Sequence, residues 1–186
     1  MVPFRLTICG ISELEAFSRA GVSHVLSILD PPEPEPPAFF SFDSHHRLEL
    51  RFHDIIEDVA GMAAPRPEHV EQLLEFGRRM DADAAPTHLL VHCHMGVSRS
   101  TASMMLLLAQ ARPDQAAEAI AAQIVRIRPI AWPNLRMIEF GDALLGRKGE
   151  LIEAARGIYR QRATVAPEVK GFIREAGRTA ELEGLE

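Results

Sequence analysis

The chain has 186 residues and a mass of 20.6 kDa, which is the size of one domain. Its apolar fraction of 47% and charged fraction of 25% are typical of a globular protein and exclude wholesale disorder. Two cysteines are too few for a disulfide scaffold, and a net charge of −6 argues against a broad nucleic-acid-binding surface. We therefore expect no nucleic-acid partner, although a small local anion site is compatible with this charge.

The sequence carries no pattern typical of a membrane or secretory segment. No long apolar stretch precedes Glu13, where a secretory signal would carry one. The longest apolar run covers only residues 104–109, which is far too short to cross a bilayer. Together with the low cysteine count, this pattern predicts a cytoplasmic protein that has no membrane partner.

Strand and helix signals alternate along the first half of the chain, which is typical of an α/β domain. The periodicity predicts strands over residues 4–9, 22–29, 48–53 and 87–92, and helices over residues 12–20 and 68–80. Five prolines in residues 31–37 predict an extended surface connection between the second and third strands.

The second half of the chain predicts mainly helices. The segment after Ser98 is apolar nearly all round, which is typical of a helix buried in the middle of a domain. Further apolar faces follow over residues 113–127, 134–145 and from 151 onward, and the charged end predicts a short helix and a frayed terminus. We predict an α/β domain over residues 1–157, with a central, mainly parallel sheet of four or five strands flanked by helices. Residues 158–186 would then form a helical or partly disordered tail.

One segment carries the features of an anion site. Residues 92–100, His-Cys-His-Met-Gly-Val-Ser-Arg-Ser, join the fourth predicted strand to the buried helix. A strand-to-helix turn leaves backbone N–H groups unpaired at the positive end of the helix, which suits phosphate. Gly96 lets the turn close without a Cβ penalty, and the planar guanidinium of Arg99 can hold two phosphate oxygens.

The same segment predicts a nucleophile. Cys93 lies at the strand end, where the N–H groups, the helix end and Arg99 should favour its thiolate form. A thiolate beneath a bound phosphate is directed at phosphorus. The hydroxyl of Ser100 can donate a hydrogen bond to this sulfur and help it to leave. The positive charge is supplied by the turn and by Arg99, so the chemistry requires no metal or other cofactor.

This segment resembles the signature of the cysteine-dependent protein tyrosine phosphatases, HCxxGxxR followed by Ser or Thr. The run Gly-Val-Ser-Arg-Ser is most similar to the dual-specificity branch of that family. Residues 128–134, Arg-Pro-Ile-Ala-Trp-Pro-Asn, are similar to a stretch that these enzymes carry before a late helix. The resemblance covers about residues 4–145, without the proline-rich segment, and implies an α/β fold of dual-specificity size.

The resemblance implies a double displacement at phosphorus. Cys93 attacks, and a carboxylic acid protonates the leaving oxygen and later acts as base for a water molecule. The family places this acid on a loop after the preceding strand, which here gives Asp54, with Asp58 as the main alternative and Glu57 behind it. The implied phosphate-binding residues are His94, Met95, Gly96, Val97, Ser98 and Arg99.

Two further residues have implied supporting roles. In the family, the histidine that matches His92 forms hydrogen bonds near the nucleophile and tunes it. Asn134 would steady the phosphate-binding turn, although its position equally suits a simple helix N-cap.

These features predict a phosphatase that acts on phosphotyrosine, with phosphoserine and phosphothreonine as further candidate substrates. The expected partners are a phosphorylated protein or peptide and a phosphate or sulfate anion in the site. A phosphoinositide or another small phosphate ester is the first alternative substrate. Met95 and Val97 occupy variable places where members with polyanionic substrates often carry Lys or Arg, which favours a singly phosphorylated residue. A phosphopeptide-binding module without turnover is the second alternative.

Two other interpretations of the same residues are less favoured. His88, His92, Cys93 and His94 are close in sequence, but no second pair of ligands at zinc spacing follows, so we expect no metal. Cys9 is expected to be a buried strand cysteine. A disulfide that protects Cys93 is the alternative, and it would require the two sulfurs to lie within bonding distance.

Overall fold

The computed structural model describes residues 5–81 and 87–185. At its centre is a parallel sheet of four strands: β1 (Arg5–Gly10), β2 (His24–Leu29), β3 (His46–Arg51) and β4 (His88–Cys93). The strand order is β1-β4-β2-β3, so β4 lies between the first two strands of the chain. This confirms the predicted parallel α/β sheet, and it places the carboxyl end of β4, which carries Cys93, in the middle of one sheet edge.

Six α-helices accompany the sheet in the described part of the chain. They are α1 (Pro67–Asp81), α2 (Arg99–Ala111), α3 (Ala117–Ile127), α4 (Leu135–Leu144), α5 (Glu150–Val165) and α6 (Val169–Glu175). Residues 99–109 of α2 are all buried, as expected from its apolar sequence. Among the described residues, no helix combines the length and the apolar character needed to cross a membrane.

The two faces of the sheet are covered differently. The larger apolar cluster unites Ile8, Leu26 and Val91 with residues from all six helices. The smaller cluster lies on the opposite face and contains Cys9 and Leu90 together with residues of the short connections after β1 and β2. The late helices therefore pack on one face of the sheet.

The predicted helix over residues 12–20 is wrong. A 3₁₀ helix occupies Ile11–Phe17 instead, and Leu14 is its only buried residue. A segment with one buried side chain lacks the apolar stripe that stabilises a longer α-helix. The bounds of β2, β3 and β4 also differ by one or two residues from the predicted strands.

From residue 158 to residue 185 the chain is mainly helical and packed, where the sequence left a helical or a partly disordered tail open. Helix α5 runs across residue 157, and Ile158 and Tyr159 are buried. After α6, a 3₁₀ helix over Thr179–Leu182 brings Arg178 and Glu181 into the interior, where they are 4% and 0% exposed. The part of the expected tail that the structure describes is therefore packed on the sheet-bearing core.

Glu181 is buried with hydrogen bonds to both carboxylate oxygens. Its Oε1 accepts bonds from the Leu135 backbone N–H (2.9 Å) and from Arg178 Nη2 (2.7 Å). Its Oε2 accepts a bond from Trp132 Nε1 (2.7 Å), and the indole ring of Trp132 stacks on Tyr159 with 4.5 Å between centroids. These contacts offset the cost of removing a carboxylate from water.

We expect Glu181→Ala to lower the free energy of unfolding by about 3 kcal/mol, because Arg178, Trp132 and Leu135 lose a buried acceptor. Urea unfolding followed by circular dichroism measures this change. The matched control is Glu183→Ala, which removes an exposed carboxylate from the same segment and should change stability by less than about 0.5 kcal/mol. Equal effects of the two substitutions would contradict a structural role for the buried carboxylate.

Candidate active site

Cys93 and Ser100 meet where β4 ends and α2 begins. The Cys93 side chain is 2% exposed, and its Sγ lies 3.2 Å from Ser100 Oγ. The contact arises because the turn over residues 94–98 returns the chain beneath the strand end, so that the first turn of α2 faces the sulfur. Sulfur and hydroxyl are therefore at hydrogen-bond distance, as the proposed leaving step requires.

The carbonyl groups of residues 94–98 all accept hydrogen bonds from groups outside this turn, which we call the phosphate loop. The donors are Ile11 N to His94 O (3.0 Å), Arg128 Nη2 to Met95 O (2.9 Å), Arg128 Nε to Gly96 O (3.1 Å), Trp132 N to Val97 O (2.9 Å) and Ala102 N to Ser98 O (2.9 Å). Because C=O and N–H point in opposite directions across a peptide, the N–H groups that follow these carbonyls point inward. These N–H groups belong to residues 95–99, and none of them has an acceptor among the described residues. The result is a cluster of free donors suited to an oxyanion.

Gly96 is required by the path of the phosphate loop. Its φ is +67°, a conformation that residues with a Cβ rarely adopt. A Cβ built at Gly96 would lie 2.4 Å from the carbonyl carbon of Cys9 and 2.7 Å from the N atom of Gly10. Only glycine lets the loop pass this close to β1.

Arg128 and Glu13 hold the phosphate loop from outside. The guanidinium of Arg128, besides its bonds to the loop carbonyls, contacts both oxygens of Glu13 at 2.9 and 2.8 Å. Glu13 Oε2 also accepts a bond of 2.6 Å from the Gly10 N–H. The hydrogen bond from Arg128 holds the pKa of Glu13 below its ordinary value against the opposing effect of burial. The sequence predicted no role for Glu13 in the site, because an acidic residue at this position is typical of the first turn of a helix.

Arg99 is buried and oriented by two acceptors. Its Nη1 donates to Asp30 Oδ1 at 2.6 Å and to the Phe52 carbonyl at 2.5 Å, and the side chain is 3% exposed. Its Nε is buried and has no hydrogen-bond partner among the described residues, so this N–H is an unsatisfied donor beside the phosphate loop. Asp30 was missed from the sequence. It directly follows β2, and the adjacency of β2 and β4 in a parallel sheet is the signal that could have indicated it.

Asp54 lies against the phosphate loop. Its Oδ1 accepts bonds from Ser98 Oγ (2.7 Å) and Asn134 Nδ2 (2.9 Å), and its Oδ2 lies 3.1 Å from Arg178 Nη1. Burial opposes ionisation of this carboxyl, but Arg178, Arg99 and the two hydrogen bonds outweigh it and hold the pKa of Asp54 below its ordinary value. Asp54 is therefore ionised when no substrate is bound.

Asn134 caps α4 and also contacts the Asp54 carboxylate. Its Oδ1 accepts a bond from the Met137 N–H (3.1 Å) and caps α4, while its Nδ2 binds Asp54. Asp58, the alternative acid, is instead 71% exposed and is paired with Arg136 Nη2 at 3.0 Å. The structure thus places Asp54 and Asn134 beside the phosphate loop, and it pairs Asp58 with Arg136 instead.

His92 and Cys9 lie on the sheet face opposite Cys93. They are paired in the register of β1 and β4, and side chains alternate along a strand. His92 packs against the Phe39 ring at 5.5 Å, and burial lowers its pKa to about 3, so the ring is neutral. Burial, assisted by the nearby Glu13, raises the pKa of Cys9 to about 12. The opposite orientation of the two cysteines does not allow the disulfide that the sequence left open.

The remaining loop side chains have separate surroundings. His94 Nε2 accepts a bond from the Asp30 N–H at 3.2 Å, and Met95 is 72% exposed. His88 Nε2 lies 2.9 Å from Thr7 Oγ1. In residues 5–81 and 87–185, no group of three or more His, Cys, Asp or Glu side chains is arranged to hold a metal ion.

Comparison with known proteins supports the resemblance inferred from the motif. No family model matches the chain. The chain is 28% identical over 163 residues to human "Protein phosphatase Slingshot homolog 3", in a match that covers 85% of this chain and 23% of the relative. The chain therefore spans about a quarter of the length of the curated relatives it matches.

Two solved structures show the same fold. Human DUSP28 superposes with a TM-score of 0.57 at 20% identity, covering 76% of this chain and 94% of the other. PTPMT1 in complex with PI(5)P superposes with a TM-score of 0.52 at 14% identity, covering 84% of this chain and 94% of the other. The chain thus has the fold of the dual-specificity branch of the cysteine-dependent protein tyrosine phosphatases and resembles that branch in sequence.

Proposed function

We propose that this protein is a metal-independent phosphatase that hydrolyses phosphotyrosine through a cysteinyl-phosphate intermediate. The observation that carries the proposal is the phosphate loop, whose five carbonyls are all bound from outside. This arrangement directs the N–H groups toward the space above Cys93, where Arg99 adds a guanidinium edge. Donors fixed in advance stabilise the charge on transferring phosphoryl oxygens without a cost of reorganisation.

In the first step, the Cys93 thiolate attacks phosphorus as the bond between phosphorus and the ester oxygen breaks. The leaving oxygen takes a proton from the Asp54 carboxyl group, so the products are a cysteinyl-phosphate, the free hydroxyl compound and ionised Asp54. The loop N–H groups and Arg99 hold the three equatorial oxygens throughout this step.

In the second step, a water molecule attacks the cysteinyl-phosphate. Asp54 accepts a proton from this water, the sulfur–phosphorus bond breaks, and inorganic phosphate leaves with the thiolate restored. The Ser100 hydroxyl, 3.2 Å from Cys93 Sγ, donates a hydrogen bond to the departing sulfur. The step requires no oxidant, metal or other co-reactant.

Asp54 is the proposed proton donor because its Oδ1 accepts a hydrogen bond from Ser98 of the phosphate loop, whereas Asp58 is exposed and paired with Arg136. Its lowered pKa restricts the protonated form to acidic pH. As pH rises through that pKa, the proton needed by the leaving oxygen is lost, so kcat/KM on phosphotyrosine should fall. We therefore propose an acidic optimum for substrates with a poor leaving group.

The loop side chains favour an aryl phosphate over a polyanionic one. Met95 is exposed beside the anion site and offers an apolar, polarisable surface to an aromatic ring. Neither Met95 nor Val97 supplies the additional positive charge that several phosphates on one ligand would need. Phosphoserine and phosphothreonine peptides are further proposed substrates. Residence in the cytoplasm stays a prediction.

A phosphoinositide is the second candidate substrate, and PTPMT1 in complex with PI(5)P is the observation that favours it. The same catalytic steps apply to either ester. A phosphopeptide-binding module without turnover is the remaining alternative.

Cys93→Ser should reduce turnover of phosphotyrosine to background while leaving phosphate binding intact, because the hydroxyl is a much weaker nucleophile than the thiolate. Phosphate release in the presence of a metal chelator measures the loss of turnover. Isothermal titration calorimetry with inorganic phosphate measures whether binding is retained. The matched control is Cys9→Ser, whose side chain lies on the other sheet face and which should retain turnover. Turnover by Cys93→Ser at the wild-type rate would refute the proposed mechanism.

Phosphotyrosine peptides should be hydrolysed with a kcat/KM at least about tenfold above phosphothreonine peptides and PI(5)P vesicles. Phosphate release from the three substrates, compared side by side with purified wild type, measures this ratio. A higher value on the vesicles would favour the phosphoinositide alternative. Binding of phosphotyrosine peptide with no release on any substrate would favour the binding module.

Asp54→Asn should lower kcat on phosphotyrosine by about 100-fold or more, because the leaving oxygen loses its proton donor. An aryl phosphate with a strongly acidic leaving phenol should be affected far less, since its oxygen leaves without a proton. Steady-state kinetics on both substrates separate a lost acid from a damaged fold. Asp58→Asn is the matched control. A larger, leaving-group-dependent loss in that variant would show that Asp58 is the acid.

A further inference from the structure

Arg178 lies outside the phosphatase motif and yet reaches the active site. It follows α6 and is 4% exposed. Its Nη1 lies 3.1 Å from Asp54 Oδ2, and Asp54 in turn binds Ser98 of the phosphate loop. Two contacts therefore connect the C-terminal segment to the anion site.

The guanidinium of Arg178 is fixed by its own segment. Gly177 ends α6 with a φ of +71°, and the Arg178 N–H then binds the Ile173 carbonyl at 3.1 Å. Glu181 holds Arg178 Nη2 at 2.7 Å and is itself anchored by Trp132 Nε1. The cation facing Asp54 is thus held from behind by a buried carboxylate, so it cannot move away without breaking several buried contacts.

Two cations face Asp54 in the described structure, Arg99 from α2 and Arg178 from the C-terminal segment. The Nη1 of Arg99 is bound to Asp30, and its Nε edge is the one available to phosphate. Arg178 is in direct contact with Asp54, and Glu181 is its other ion-pair partner among the described residues. Arg178 is therefore the arginine whose guanidinium contacts the proposed proton donor directly.

We propose that Arg178 is a positioning residue for the phosphatase reaction, which holds the Asp54 carboxylate against the phosphate loop and fixes the pH range of proton donation. This inference rests on the proposed function, because it concerns the acid of that reaction. It assigns to the C-terminal segment a role in the chemistry as well as in stability.

The sign of the effect follows from the contact. A cation beside a carboxylate favours the ionised form, so loss of Arg178 raises the pKa of Asp54. The protonated acid then persists to higher pH, and the alkaline limb of the kcat/KM profile on phosphotyrosine moves upward. A contact that served only stability would lower activity without moving this limb.

The experiment compares the pH profiles of wild type, Arg178→Gln and Arg174→Gln. Arg174 is exposed in the same segment, so its substitution removes the same charge without touching Asp54. We expect the limb to move upward by about 1 pH unit in Arg178→Gln and to stay in place in Arg174→Gln. An unmoved limb in folded Arg178→Gln refutes the proposal.

A second measurement tests the same proposal without turnover, so it applies even if Arg178→Gln does not fold. The Asp54 carboxyl is titrated by ¹³C NMR in wild type, with its resonance assigned by comparison with Asp54→Asn. We expect a pKa below the ordinary aspartate value of about 3.9, and a higher one in Arg178→Lys, whose ammonium cannot bridge both carboxylates. A wild-type value at or above 3.9 overturns the proposal. Absence of turnover by wild type on every substrate would instead refute the proposed function, and this titration would be unaffected.

Discussion

The proposed active site depends on one backbone constraint, which is that donors outside the phosphate loop bind the carbonyl groups of all five residues 94–98. The donors that hold them come from the end of β1, from Arg128, from Trp132 and from α2. Because several elements share this task, the backbone of the phosphate loop is held in place without an anion, as the proposed phosphoryl transfer requires. Gly96 is part of the same constraint, since its close approach to the β1 backbone lets the turn close.

Three arginines surround the phosphate loop, and each is paired with a carboxylate from another part of the chain. The pairs are Arg99 with Asp30, Arg128 with Glu13, and Arg178 with Asp54. Pairing offsets the cost of removing these charges from water. It also means that these three arginines do not form an unpaired, positively charged surface beside the phosphate loop. In the proposed mechanism, the loop N–H groups and the unpartnered Nε of Arg99 bind the anion instead, which agrees with a chain whose net charge is −6.

The sequence predicted the parts of the site that lie close together along the chain. Nine consecutive residues contain the proposed nucleophile, the phosphate loop and Arg99, and the strand before them is apolar enough to be identified by pattern alone. The partners of these residues were not predicted. Asp30 lies 69 residues from Arg99, and no local pattern relates an isolated charge to a partner at that distance. Likewise, the charged segment around Arg178 resembles a solvated end until α5 and Trp132 are seen to bury it.

Asp30 places a negative charge beside the proposed anion site, and its contact with Arg99 shows how such a charge is compatible with that site. Both acceptors of Arg99, Asp30 Oδ1 and the Phe52 carbonyl, bind Nη1. They fix the plane of the guanidinium and leave its Nε edge unbound among the described residues. That edge is the one that presents two parallel N–H donors to a phosphate. The carboxylate thus orients the arginine without occupying its anion-binding edge, and the cost of burying the cation is met before the substrate binds.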